Sequence, residues 1–186
     1  MEAGPQETVT VSLREFLPED AGAVERWFND GRVTENMMEV RQSFSPSEAS
    51  AWVERAMRTD GPDRKWAVLL DDIAEAVGFT ALYGIGGQLA PELGCVIADP
   101  AAWGKGVGRE AERLTLERAF GELDAHRVYG RIPATNEAAK AVVTWLGWKH
   151  EGTMREHIRR PDGTLIDCEV WGVTAADWAE RWREER

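Results

Sequence analysis

The sequence predicts a single mixed α/β domain, and three features predict it. Runs that alternate apolar and polar residues, as half-buried strands do, are interleaved with segments whose apolar residues recur at helical spacing. Their order is strand, two helices, three strands, helix, strand, helix, two strands, with no internal repeat, low-complexity stretch or linker. A chain of 186 residues, 43% hydrophobic and carrying nine tryptophans, can bury one substantial core and has no need of a second domain.

The first strand is read in TVTVSLREF, from its alternation. PEDAGAVERWFNDG follows as a helix, with Ala23, Val24, Trp27 and Phe28 on one side and Asn29 to Gly31 at its end. SPSE, at Ser45 to Glu48, has the form of a capping box with proline at the first helical position, and opens a helix bearing Ala51, Trp52, Ala56 and Met57. KWAVLLDD and EAVGFTALYGI read as neighbouring strands joined by a turn near Asp71 and Asp72, and PELGCVIA as a strand apolar enough to be central. A helix from about Val107 to Leu123 carries Leu116, Ala119, Phe120 and Leu123 along one stripe. HRVYGRIPA returns as a strand. TNEAAKAVVTWLG is a helix capped by Thr135 or Asn136, burying Val142, Val143 and Leu146 and closed by Gly147. Two strands around the turn PDG form a hairpin, and AADWAERWREER is a short amphipathic tail helix.

Between the central strand and its helix lies WGKGVG, with glycines at 104, 106 and 108. Such spacing lets backbone N–H groups converge on an anion, and a helix beginning there adds the positive end of its dipole, so a phosphate is the natural ligand. The loop is not a P-loop: G-x-x-x-x-G-K-S/T is absent, and no Ser or Thr follows Lys105 to hold magnesium. Nor does it fit G-x-G-x-x-G after an early strand, as dinucleotide binding requires. Taken alone, the glycines serve a tight strand-to-helix turn equally well.

The surrounding block decides between them. PELGCVIADPAAWGKGVGREAERLTLERAF, followed by HRVYGRIPATNEAAKAVVTWLGWKHEGTMRE, resembles the GNAT superfamily of acyl-CoA-dependent N-acyltransferases, and within it the RimJ/RimL-like branch. WGKGVG is similar to the family's Gln/Arg-x-x-Gly-x-Gly/Ala pyrophosphate motif, and ATNEAAKAVVTWLGW to the branch's run from Asn-x-x-Ser/Ala to Leu-Gly-Phe. The likeness runs from VERWFNDGRV through nearly the whole chain. It implies one GNAT domain over residues 1–186, a central mixed but mostly antiparallel twisted sheet of about seven strands flanked by helices. Three positions depart from the pattern: Trp103 stands where Gln or Arg is usual, and Val143 and Ala139 stand where many relatives have tyrosine and some have serine. The tyrosine is the usual acid toward the leaving thiolate, so that role is unassigned.

The resemblance implies acetyl-CoA as co-substrate, with no metal. Backbone N–H groups of the loop Trp103, Gly104, Lys105, Gly106, Val107, Gly108 and Arg109 would bind its pyrophosphate, Lys105 and Arg109 adding charge. Val96, Ile97 and Ala98 would pair their main chain with the pantetheine arm as an added strand would, and Asn136 would reach the same arm while also capping its helix. Attack by an amine on a thioester needs a base and an oxyanion donor. Glu92 matches the glutamate that is the base in several relatives, a role that burial of the carboxyl would aid, and the Val96 N–H is the oxyanion candidate. A solvated carboxylate at the strand start is the plainer account of Glu92. Glu151, Arg155, Glu156, Asp167 and Glu169 are candidates for the acceptor side, with surface charge the simpler explanation. Met37, Met38 and Glu39 fall in the segment that shapes the acceptor pocket in this fold, where helix-end packing serves as well. Tyr83 and Tyr129 are read as core residues.

Composition constrains the partners. A formal net charge of −11 opposes nucleic acid and suits cationic acceptors such as amines, whether small molecules or protein N-termini. The opening MEAGPQETV lacks a signal-like pattern and no apolar run reaches membrane-spanning length, so a cytoplasmic protein without membrane contact is expected. Cys95 and Cys168 are expected as reduced, structural thiols, and His126, His150 and His157 have no metal-ligand spacing. Dimers are frequent among the relatives. Two rival readings are a non-catalytic acyl-CoA-binding module, suggested by Val143 and Ala139, and a nucleotide-binding protein.

Overall fold

The computed structural model describes residues 10–38, 43–70 and 73–182. Seven strands form one sheet in the order β1-β2-β3-β4-β5-β7-β6. They are β1 (Val11–Arg14), β2 (Arg64–Leu70), β3 (Ile73–Tyr83), β4 (Glu92–Ile97), β5 (Arg127–Pro133), β6 (Lys149–Arg159) and β7 (Leu165–Thr174). Every neighbouring pair is antiparallel except β4 and β5, which run parallel. The mixed, mostly antiparallel sheet and the central place of PELGCVIA are thus as the sequence predicts.

The helices are α1 (Ala21–Asn29), α2 (Gly31–Thr34), α3 (Pro46–Ala56), α4 (Val107–Gly121), α5 (Glu137–Trp145) and α6 (Ala175–Arg181). Among the described residues three α-helices, not two, separate β1 from β2. The added turn, α2, exists because Asp30 ends α1 and caps the next helix, its carboxylate accepting from the Arg32 N–H at 2.9 Å. The capping box at Ser45 forms, with Glu48 N–H donating to Ser45 Oγ and the Glu48 carboxylate accepting from Ser45 N–H. The buried stripe of α3 is Ala49, Val53 and Ala56, with Trp52 packed beside it; Met57 is the exposed C-cap. The expected turn near Asp71 and Asp72 lies outside the described residues.

The sheet separates two layers. Helices α1 to α3 cover one face, where Phe16, Val24, Trp27, Phe44, Val53 and Phe79 form a core, with Trp52 edge-on to both Phe16 and Phe79 at centroid distances of 5.1 Å. Helices α4, α5 and α6 cover the other, over Leu82, Leu93, Leu116, Val128, Ile132, Val143, Leu146 and Trp178. Each such aliphatic side chain contributes about 1.5–3 kcal/mol on burial. No helix among the described residues is long and apolar enough to cross a membrane.

One irregularity shapes the middle of the sheet. β4 and β5 share a single bridging pair, Glu92 with Tyr129, and beyond it toward Ile97 no further pairing between them is present among the described residues. The edge of β4 that faces β5 is therefore open.

Candidate functional site

The mouth of this opening is the loop before α4. Gly104 and Gly106 have φ of +74° and +82°, a left-handed backbone that glycine adopts without strain. A Cβ on either would meet nothing within 4 Å, so the space over the loop is clear. Gly106 is the N-cap of α4 and offers no side chain, leaving the first N–H groups of the helix without a side-chain cap. Gly108 lies against the opening: a Cβ there would stand 3.6 Å from Ile97 Cγ1 and 3.9 Å from Val142 Cγ2. Lys105 and Arg109 are exposed beside the loop, the Arg109 guanidinium lying over the Trp145 ring at 5.5 Å. Uncapped amides, a helix dipole and two cations fit a diphosphate.

The main chain of β4 determines what the opening can offer. Tyr129 N–H donates to Pro91 O, which places the odd-numbered groups of this strand toward β5. On the other edge, a Cβ on Gly78 of β3 would collide with Val96 O, and Ala98 N–H donates to Val77 O at 2.8 Å. Val96 and Ala98 therefore spend their main-chain groups on β3, whereas those of Cys95 and Ile97 face the open edge. This corrects the expectation that Val96 and Ala98 pair with a ligand strand and that the Val96 N–H serves as oxyanion donor. Trp103, 43% exposed, donates its indole N–H to Ile97 O at 2.7 Å and so covers one of the open carbonyls. Asn136 caps α5, its side-chain oxygen accepting from Ala139 N–H at 3.1 Å.

Glu92 sits on the α1–α3 side of the sheet in a polar cluster. Arg131 forks onto its carboxylate, with Nε at 2.8 Å and a terminal nitrogen at 3.1 Å, and the Tyr129 hydroxyl donates to it at 3.3 Å. The carboxylate is 20% exposed. The adjacent Tyr83, paired with Glu92 across the β3–β4 ladder, has its ring 3.3 Å from where a Gly94 Cβ would stand, and burial pushes its hydroxyl up to about 12. The Tyr129 hydroxyl is likewise raised, chiefly by burial and then by Glu92. Tyr129, read as core from the sequence, instead bonds to Glu92. Arg131 was overlooked in the sequence, although it and Tyr129 stand two apart on a strand, the spacing that puts side chains on one face.

The acidic residues assigned together to the acceptor side are dispersed. Glu169 pairs with Ile132 across the ladder, on the α5 side, where it accepts from Trp171 Nε1 at 2.9 Å and lies 3.6 Å from Lys140. Glu151 is ion-paired with Arg127, which holds its carboxyl below the usual range. Asp167 accepts the Glu156 N–H at 2.7 Å. Met37 packs against the α1–α3 core, and Met38 Sδ lies 3.9 Å from Cys168 Sγ on β7; Glu39 is outside the described residues. Both cysteines are free thiols, and burial pushes each upward.

Comparison with known proteins matches this arrangement. The family model for the acetyltransferase (GNAT) domain covers residues 10–149. The uncharacterized N-acetyltransferase YoaA of Bacillus subtilis (strain 168) is 24% identical over 173 residues, spanning 90% of this chain and 94% of its own. The spermidine N-acetyltransferase of Vibrio cholerae, solved in complex with CoA and spermine, shares the fold with a TM-score of 0.80 at 20% identity, over 90% of this chain and 97% of that one. RimJ of Mycobacterium smegmatis, solved in complex with CoA-disulfide, does so at 0.77 and 22% identity, over 100% and 97%. With well over half of the sequence matched to the family model, and a parallel pair splayed beside an uncapped, glycine-opened helix, the chain belongs to the GNAT family and is an N-acetyltransferase.

Proposed function

We propose that the chain transfers an acetyl group from acetyl-CoA to a primary amine by direct attack, with both substrates bound together, and that it belongs to the RimJ/RimL-like branch. The carrying observation is the uncapped start of α4, with clear space over Gly104 and Gly106, set beside the open edge of β4. Backbone N–H groups from Lys105 to Arg109 hold the diphosphate, and the Lys105 and Arg109 side chains add positive charge to an otherwise acidic chain. Cys95 and Ile97 offer the main-chain groups that the pantetheine arm pairs with, and Asn136 adds its amide nitrogen.

Glu92 takes the proton of the attacking amine, a task for which Arg131 orients its carboxylate. The N–H groups of Cys95 and Ile97 are the oxyanion donors available at the open edge. The acceptor is a small amine, such as an antibiotic, amino sugar or polyamine, or a protein N-terminus. Release of free thiol from acetyl-CoA, followed over polyamines, aminoglycosides and peptides with free N-termini, tests the reading. Amine-dependent thiol release with acetylated product in the mass spectrum is the expected result; a protein that binds no CoA and turns over no amine would overturn it.

A further inference from the structure

Two exposed arginines with no acid partner among the described residues converge on one ring. Arg109, the residue after Gly108 on the first turn of α4, has its guanidinium 5.5 Å from the centroid of Trp145 on α5. Arg181, at the end of α6, lies over the same ring at 5.9 Å and over Trp182 at 5.1 Å. Its stem passes 3.5 Å from where a Cβ on Gly147 would stand, and its guanidinium donates to Trp145 O at 3.4 Å.

By contrast, Arg113, one turn beyond Arg109, is held by Glu110 and Glu117, and Arg14, Arg127 and Arg131 each grip a carboxylate. Acids are plentiful in this chain, 33 against 22 Lys and Arg, yet these two guanidiniums share a ring without one. Like charges gathered in this way repel, and the contact of each with the indole face offsets part of that cost. An anion would complete the arrangement. Trp145 is itself 37% exposed, so the ring holds both guanidiniums where solvent reaches them. A guanidinium fixed in place presents its fork of N–H donors to a phosphate with little further loss of side-chain freedom.

Location selects the phosphate. The uncapped amides of α4 take the diphosphate on the acetyl-CoA reading, and Arg109 follows them directly in the helix. Gly108 faces Val142, so α5 runs beside this first turn, and Trp145 is three residues on from Val142, on the same side of α5. The coenzyme carries one further phosphate, a monoester on its ribose, mostly a dianion at pH 7 and separated from the thioester arm by the diphosphate. With the arm laid along β4, the ribose leaves the loop on its outer side, over α4 and α5.

We infer that Arg181 and Arg109, braced on Trp145, form the subsite for the ribose 3′-phosphate of the coenzyme, and so make the enzyme discriminate CoA from its dephospho form. This inference rests on the acetyl-CoA reading above. It gives Arg181 and Trp145, which that reading leaves unused, a ligand matched to their charge and place.

Calorimetric titration of CoA and of dephospho-CoA, which differs only in lacking that phosphate, into wild type, Arg181→Gln and Trp145→Leu tests it. Wild type should bind CoA at least about tenfold more tightly than dephospho-CoA. Arg181→Gln keeps the length of the stem and removes the charge; it should weaken CoA roughly fivefold or more while leaving dephospho-CoA within about twofold of wild type. Trp145→Leu keeps both charges but frees them, and should narrow the preference for CoA as well. If Arg181 served only to tie α6 to the end of α5, its replacement would lower the melting temperature and leave the CoA to dephospho-CoA ratio as in wild type. That unchanged ratio, or a wild type that binds the two ligands equally, would overturn the inference and leave the acetyl-CoA reading intact. A wild type that binds neither ligand would overturn both.

Discussion

At the scale of single residues, Glu92 is held by its neighbours rather than by burial. Arg131 and Tyr129 both bond to its carboxylate, so the proton abstraction proposed for it would draw on placement by these partners rather than on an apolar pocket. Replacing Glu92 by Gln should lower turnover on the order of 100-fold with CoA affinity nearly intact, as read by steady-state kinetics beside calorimetry. Equal turnover across the pH range would remove Glu92 from the mechanism. Glu92, at the head of the central strand, was singled out in the sequence only by its resemblance to the glutamate of relatives. Its partners were not, because a side chain's neighbours across a parallel pair depend on register, and Glu92 meets Tyr129 only through one bridge. For the same reason the strand PELGCVIA was legible while the direction of each N–H was not: alternation is visible in sequence, but which edge meets β3 is a property of the assembled sheet.

At the scale of elements, two glycines can be separated by what they do. Gly106 sits at φ +82° with open space above it, so a side chain there meets no atom of the protein but must adopt a left-handed backbone. Gly106→Asp should therefore weaken CoA binding at least tenfold, by putting a negative charge where the diphosphate is proposed to dock, while costing about 1–2 kcal/mol in stability. Wild-type CoA affinity by calorimetry would contradict the placement. Gly78 is the opposite case. It faces the backbone of β4, and a methyl group would collide with Val96 O and lie 2.9 Å from Ile97 Cα. Gly78→Ala should destabilise the fold by about 2–3 kcal/mol, seen as a lower urea midpoint, because backbone cannot yield as a flexible side chain does. The glycine loop was evident from sequence spacing; the need for Gly78, one glycine in an ordinary strand pattern, was not. Likewise Asp30 read as a helix stop, and only the folded chain shows it starting a second helix as well.

At the scale of the whole molecule, the buried acid on α4 ties stability to pH. Glu112 ionises in the folded protein at about 8, against an ordinary value of 4.5, and its neighbour Cys95 is raised in turn by burial and by Glu112. Between these pH values the folded state keeps a proton that the unfolded chain has released. Stability is therefore greatest below about 4.5 on this account and falls as pH rises toward 8, by on the order of 4 kcal/mol. Urea midpoints at pH 5.5 and 8.5 should show wild type weaker at the higher pH and Glu112→Gln with most of that difference gone; identical pH dependence in the two proteins would refute it. By itself the sequence determined the mixed α/β class, the seven strands, the central strand and the glycine loop, since hydrophobic period, caps and turn residues are local signals carried by contiguous residues. Only the tertiary structure decided that β4 and β5 part after one bridge, that Cys95 and Ile97 rather than Val96 face the gap, and that the Glu112 carboxyl of α4 is buried. Those facts arise from segments distant in the chain packing together, and burial and strand-edge pairing exist only once they have done so.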